Sequence, residues 1–356
     1  MATPKGASRP FVSVFEKVMR DKAWVGIDVA CAKGKSLPIV VCVMEGKTLV
    51  PLKLRSLPEL VPPKGMGNAC VIDSTVTKKF AADAVTYVSA LVEYYALRIC
   101  VVGIDAPSAY ADNGSNRRAA EVALDRAGIS CFTTPTRDRF DEIVSKAQKH
   151  IGDGLPISRV PHANQLWMLA GFALFEAFSN LAKCREVYPQ ATVQVLGAAD
   201  IYKAKKEGLA RQLQVASRHT GWPSQKVDVS VLDDIAFATR HDNLDAYLSA
   251  WVASLDRSDL FAFGEPPDDV IWVPKVEKSS SIPAFTKISG SEKRKVTSTM
   301  RSATKRLCPA CRKHEFKRWP LGWDAHAAHK CSGLSGSDIE ERKQEFRQRY
   351  SFLFNR

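Results

Sequence analysis

Residues 99–107 say most about the fold of this chain. Six apolar or small residues lead into Asp105, and Pro107 follows. Apolar residues on both alternating faces predict a central strand of a sheet that is covered by helices. The same tripeptide, Gly-Ile-Asp, also ends an earlier apolar run at residues 24–28. Two such strands would set Asp28 and Asp105 side by side at the carboxyl edge of one sheet, where open α/β sheets bind their ligands. Alternatively, both aspartates cap turns or helix starts.

The remaining periodicity predicts an α/β fold. A hairpin is expected at residues 37–54, turning at Glu45-Gly46-Lys47. Helices are expected at residues 78–95, 117–127, 136–150, 163–183 and 203–219. Residues 231–255 form one helix or two, broken near residues 240–242, and a last helix covers residues 338–354. A short strand at residues 131–133 and an extended segment at residues 186–196 complete the prediction.

Three further acidic residues are candidates for chemistry. Glu186 lies in the segment Arg-Glu-Val-Tyr-Pro, and Asp242 and Asp245 are three apart, so they share one face of a helix. Together with the two strand ends they would form a cluster of carboxylates, for which Mg²⁺ or Mn²⁺ is the usual compensation. A pair of such ions clamps a phosphodiester for hydrolysis. The alternatives are a helix N-cap for Asp242 and a strand-edge salt bridge with a neighbouring basic residue for Glu186.

Six short motifs follow one another in this part of the chain. They are Gly26-Ile27-Asp28, Gly103-Ile104-Asp105-Ala106-Pro107, Arg118-Ala119-Ala120-Glu121, Glu186-Val187-Tyr188-Pro189, Gly208-Leu209-Ala210-Arg211 and His241-Asp242-Asn243-Leu244-Asp245-Ala246. In this order, over residues 24–255, the chain resembles the domain of unknown function family 429, which is described as predicted nucleases of the ribonuclease H-like fold.

The resemblance implies a mixed sheet flanked by helices and an acidic site. Asp28, Asp105 and Asp245 would bind the metal, with Asp242 or Glu186 as a further ligand or base. It also implies that Arg118 pairs with Glu121, a position where the family more often has Asp.

The positive charge of the chain is regional. The formal net charge is +13, and residues 275–318 alone carry 13 Lys and Arg against 3 Glu. Such a block predicts a polyanionic partner, DNA or RNA before a membrane. The alternative is a solvated linker that is merely basic.

A cluster of cysteine and histidine residues follows. Cys308 and Cys311 form a Cys-x-x-Cys knuckle, and His326 and Cys331 supply a second pair. This spacing predicts a structural Zn²⁺ site in a small zinc finger. His329 competes with Cys331 for the fourth position.

These observations predict five segments: a basic lead-in (residues 1–22), a ribonuclease H-like domain (23–274), a basic linker (275–306), the zinc finger (307–334) and a C-terminal helix (335–356).

The predicted function is a divalent-metal-dependent nuclease. The first alternative is a non-catalytic nucleic-acid-binding protein. An actin-like phosphotransferase ranks last, because no Gly-rich phosphate turn follows Asp28 or Asp105. No apolar leader or membrane span is visible, so a cytoplasmic protein is expected.

Overall fold

The computed structural model describes residues 21–115, 117–198, 206–224, 227–276, 306–307, 315–316, 331, 334–335 and 337–349. They belong to two compact units, Met1–Phe285 and Thr286–Arg356. Nearly all of the predicted lead-in and of the basic linker, and most of the predicted zinc finger, lie outside the described residues.

A five-stranded mixed sheet forms the centre of the first unit, in the order β3-β2-β1-β4-β5. Its strands are β1 (Asp21–Asp28), β2 (Ile39–Glu45), β3 (Thr48–Pro51), β4 (Leu97–Asp105) and β5 (Lys183–Glu186). β1 pairs antiparallel with β2 and parallel with β4, and β4 pairs parallel with β5. The predicted hairpin is confirmed as β2–β3, and its turn contains Gly46 with φ +63°. The two central strands are also confirmed, since both end at the predicted aspartates.

Nine α-helices are described in this unit: α1 (Asn68–Val71), α2 (Ser74–Tyr94), α3 (Ala119–Arg126), α4 (Arg137–Gly152), α5 (Ala163–Ser179), α6 (Pro189–Val195), α7 (Lys206–Thr220), α8 (Leu232–Ile235) and α9 (Arg240–Ser254). The break predicted near residues 240–242 separates α8 from α9. The side chain of Asn243 holds this break, because its amide donates to the carbonyls of Leu232 and Ala236 at 2.8 and 3.3 Å.

Three predictions of secondary structure are wrong, and one hairpin was missed. The segment expected to be extended after Glu186 forms helix α6, because Pro189 at its first position pre-sets a helical φ. Residues 131–133 form no strand, and α5 ends at Ser179 rather than at residue 183. An antiparallel hairpin of β6 (Leu260–Glu265) and β7 (Asp269–Pro274) was not predicted.

Helices cover both faces of the sheet. Ile27 and Ile104 pack into a core shared with α2 and α5, whereas α9 packs on the opposite face. A Cβ on Gly26 would lie only 1.9 Å from the carbonyl oxygen of Ala246, and one on Gly103 only 2.2 Å from that of Ser249. The two glycines therefore allow the backbone of α9 to lie directly against β1 and β4.

The second unit is described only in part. β8 (Arg306–Leu307) pairs antiparallel with β9 (Glu315–Phe316), and α10 covers Ile339–Arg349, inside the predicted C-terminal helix. Cys331 is buried. The other predicted zinc ligands, Cys308, Cys311 and His326, and the alternative His329 lie outside the described residues. Among the helices described in the chain, none has the length and apolar character to cross a membrane.

Candidate active site

The two predicted strand-end carboxylates occupy paired positions. Asp28 is the register partner of Asp105 across the parallel β1–β4 ladder. Side chains alternate along a strand, so Asp28 and Asp105 lie on the same face as Gly26 and Gly103, two positions earlier, which is the face covered by α9. Both aspartates are partly exposed. The structure therefore brings two carboxylates to one edge and one face of the sheet.

Helix α9 carries the other two predicted aspartates in different settings. Asp245 is buried, with 4% of its surface exposed, and precedes Ala246, the residue that touches Gly26. Asp242 is the third residue of the helix, so its interpretation as the N-cap is wrong and Thr239 takes that position. The carboxylate of Asp242 accepts a hydrogen bond from the Thr239 hydroxyl at 2.7 Å and lies 3.0 Å from His241 Nε2. Asp242 thus stabilises the first turn of α9.

Glu186, at the end of β5, forms a buried ion pair. Arg118 Nη1 and Nη2 donate to Glu186 Oε1 and Oε2 at 2.7 and 2.8 Å. Oε2 also accepts hydrogen bonds from the backbone N–H and the hydroxyl of Ser108, at 2.8 and 2.6 Å. Ser108 lies three residues after Asp105, so Glu186 holds the loop that leaves the end of β4.

Arg118 connects three elements through its planar guanidinium. Besides Glu186, it reaches Asp269 of β7, with Nε 3.0 Å from Oδ1. Asp269 also accepts the backbone N–H of Ala119 at the start of α3. Burial lowers the pKa of Arg118, but the attraction of Glu186 and Asp269 outweighs burial and raises it. The pairing of Arg118 with Glu121 that the resemblance implies is therefore corrected: Glu186 and Asp269 receive its hydrogen bonds.

Glu121 is a buried acid next to this network. Its Oε1 accepts the backbone N–H of Thr134 at 2.8 Å, whereas Oε2 has no hydrogen-bond partner among the described residues. Oε2 forms an ion pair with Arg117, whose Nε lies 3.6 Å away. Burial raises the pKa of Glu121 above its ordinary value of 4.5, although Thr134 and the two arginines lower it.

A cleft at the end of β4 is lined by several of these residues. Its polar lining contains Asp105, Glu186, Glu121 and Arg118, and its apolar lining includes Phe132, Trp167 and Tyr188. The space inside that water can reach is about 50 Å³, enough for a small number of water molecules. Of the five predicted catalytic residues, Asp105 and Glu186 line the cleft, while its described lining does not include Asp28, Asp242 or Asp245.

The donor set can be compared with what a metal ion needs. Within the described ranges, no group of three or more His, Cys, Asp or Glu side chains is arranged to hold an ion. Mg²⁺, however, is commonly held by one or two carboxylates and keeps several waters. The paired Asp28 and Asp105 supply two hard oxygen donors of that kind. The residues present therefore fit a magnesium-type ion better than an ion that demands an all-protein cage.

The comparison with known families agrees with the motifs. A family model described as "Protein of unknown function (DUF429)" matches residues 63–268. The chain belongs to this family. The match includes Asp105, Glu186 and both aspartates of α9, and it begins after Asp28. No curated protein and no solved structure matches the chain.

Within this DUF429 match, the segment Arg185-Glu186-Val187-Tyr188-Pro189 holds several elements together. The guanidinium of Arg185 donates to three carbonyls at the end of α9, two of them Ala253 and Leu255 at 3.2 Å. Burial lowers the pKa of Arg185 to about 10. The Tyr188 hydroxyl donates to the carbonyl of Ser130 at 2.8 Å. The segment thus fixes β5 against α9, α3 and the loop that carries Phe132.

Sequence reasoning missed Ser108, Asp269, Phe132 and Trp167 as part of this site. Ser108 could have been found from its position, because it lies just after the predicted end of β4. Asp269 and Arg118 are 151 positions apart, so no local pattern relates them.

Proposed function

We propose that this chain is a divalent-metal-dependent nuclease that hydrolyses nucleic-acid phosphodiesters on a ribonuclease H-like domain. The observation that carries the proposal is the pairing of Asp28 and Asp105 on the face of the sheet over which α9, with Asp245, lies. The order of elements supports it as well: a strand ending in Asp, a hairpin, a helix, a second strand ending in Asp and a late helix with a buried Asp.

In this proposal the carboxylates have separate roles. Asp28 and Asp105 hold the catalytic Mg²⁺ or Mn²⁺, and Asp245 is the third acid of the site. When bound, such ions activate water and stabilise the leaving oxygen. Glu186 Oε2 already accepts three hydrogen bonds, so we assign Glu186 to positioning the loop after Asp105 rather than to the metal.

The C-terminal part of the chain would bind the substrate. The basic residues between positions 275 and 318 are suited to phosphate contacts, which dominate the affinity of proteins for nucleic acids. A Zn²⁺ ion on Cys308, Cys311, His326 and Cys331 would fold the finger that carries several of these residues.

A cleavage assay tests the proposal. The purified full chain is incubated with labelled single-stranded DNA, duplex DNA, RNA and an RNA–DNA hybrid, with Mg²⁺, Mn²⁺ or no added metal. Metal-dependent cutting is expected, and Asp28→Asn/Asp105→Asn should abolish it because the charged oxygen donors are lost. Asp83→Asn, at an exposed acid of α2, is the matched control and should cut like the wild type. Undiminished cutting by the double variant would contradict the proposal.

The absence of a three-residue ligand group in the described part of the chain favours a second candidate, a non-catalytic nucleic-acid-binding protein on the same scaffold. The same assay separates the two functions. Salt-sensitive binding without metal-dependent cutting of any of the four substrates would support the second.

A further inference from the structure

The cleft beside Asp105 has an exposed aromatic wall. Phe132 is 56% exposed, although it is a large apolar side chain. Its ring centroid lies 6.0 Å from that of Trp167, with an interplanar angle of 69°, and both rings line the cleft. Exposed aromatic rings next to a site for chemistry are typical of surfaces that stack planar ligands.

The loop that presents Phe132 is fixed on both sides of the ring. Tyr188 donates a hydrogen bond to the carbonyl of Ser130, and Gln165 Nε2 donates to the carbonyl of Thr133 at 3.2 Å. The next backbone N–H, that of Thr134, donates to Glu121. Phe132 is therefore held in an exposed position before any ligand binds, which lowers the entropy cost of binding.

The inner end of the cleft has unused hydrogen-bonding capacity. The side chain of Glu121 is 3% exposed, and its Oε2 has no hydrogen-bond partner among the described residues. Buried polar atoms are normally hydrogen-bonded, so Oε2, whose ion-pair contact with Arg117 Nε is 3.6 Å long, can accept a hydrogen bond from a ligand in the cleft.

We propose that this cleft binds one unpaired nucleobase, which stacks on the ring of Phe132, contacts Trp167 and donates an N–H to Glu121 Oε2. The inference rests on the proposed function, since the base would belong to the strand whose phosphodiester lies at Asp105. A base in a duplex is stacked on both faces and hydrogen-bonded along its Watson–Crick edge. The cleft therefore selects single-stranded substrates, or single-stranded regions of them.

Binding of three oligonucleotides by the full chain tests this proposal, with no Mg²⁺ or Mn²⁺ added. They are a single strand, an abasic strand with the same backbone, and the duplex. The wild type should bind the base-bearing single strand most tightly. Phe132→Ala should lose affinity for that strand by about 5- to 150-fold, the value of one base–aromatic stack, and should bind the abasic strand as the wild type does.

Phe261→Ala is the matched control, because Phe261 is 44% exposed and does not belong to the described lining of this cleft. It should bind all three oligonucleotides like the wild type. Equal affinity of Phe132→Ala and the wild type for the base-bearing strand would overturn the proposal. So would a wild type that binds the abasic strand, or the duplex, as tightly as the base-bearing single strand.

The result is distinguishable from failure of the nuclease proposal. If the wild type cuts with metal but Phe132→Ala binds normally, the nuclease stands and the base site is overturned. If nothing is cut but Phe132→Ala loses base-dependent affinity, the base site stands on a protein without the chemistry.

Discussion

The burial of Glu121 should make the stability of the first unit depend on pH. Burial raises its pKa above 4.5, so the native state keeps a proton that the unfolded chain has already lost. The contribution of the protonated Glu121 to the free energy of unfolding is therefore fully present below pH 4.5. It is lost as the pH rises through the raised pKa.

Glu121→Gln cannot ionise, and its side-chain carbonyl can still accept the Thr134 N–H. The free energy of unfolding of this variant should therefore increase relative to the wild type as the pH is raised from below 4.5. Denaturant unfolding of both proteins at a series of pH values measures this difference. The exposed Asp83→Asn serves as the control, and a difference between Glu121→Gln and the wild type that stays constant with pH would contradict the expectation.

The position of Gly103 requires glycine, because α9 leaves no room for a Cβ. Gly103→Ala should lower the free energy of unfolding by about 1–3 kcal/mol or more, since the new methyl group would lie 2.2 Å from a backbone oxygen of α9. Gly152→Ala, at the end of α4 with nothing within 4 Å, should leave stability unchanged or raise it slightly. Denaturant unfolding compares the two, and similar losses for both would show that α9 is not closely packed.

At the scale of elements, one buried guanidinium joins α3, β5 and the β6–β7 hairpin. Arg118 and Glu186 have side chains only 2% and 4% exposed. A buried ion pair contributes little compared with an apolar pair, but removal of one partner leaves the other charge buried and unpaired.

Arg118→Met should therefore cost about 3–5 kcal/mol of unfolding free energy. Arg118→Met with Glu186→Leu should recover part of that loss, because no unpaired glutamate remains. Arg139→Met, which removes an exposed pair with Glu142 on α4, should cost less than about 1 kcal/mol. A double variant as unstable as the sum of its two single variants would contradict this account of the pair.

At the scale of the whole molecule, the chain combines an α/β unit with a basic C-terminal region. The zinc prediction concerns this region and can be tested by direct measurement of bound metal. Cys308→Ser should release zinc and weaken nucleic-acid binding, because loss of one thiolate would open the proposed tetrahedral site on which the finger would fold. Thermal unfolding of the first unit should change little.

Metal content measured by mass spectrometry and binding measured by anisotropy check this expectation. Cys70→Ser, at an exposed cysteine of the first unit, is the matched control. Comparison of Cys331→Ser with His329→Ala decides which residue is the fourth ligand. Unchanged zinc content in Cys308→Ser would refute the finger.

The elements whose signal is local could be predicted from the sequence alone. Continuous apolar runs, a tight turn and helical spacing predicted β1, β4, the β2–β3 hairpin and the break before α9. The repeated Gly-Ile-Asp predicted that Asp28 and Asp105 would be neighbours, because parallel strands in register carry equal tripeptides to the same edge. The pattern of apolar residues can predict these strands, turns and helices, since each depends on residues a few positions apart.

Contacts between side chains from distant segments, in contrast, follow from the fold and not from any local pattern. The partners of Arg118 lie 68 and 151 positions away, and the cleft joins the Phe132 loop to α5 and β5. These contacts depend on how the packed elements approach one another, which no local pattern encodes. For the same reason Glu186 is indistinguishable in the sequence from a metal ligand, whereas in the fold its oxygens hold Arg118 and Ser108.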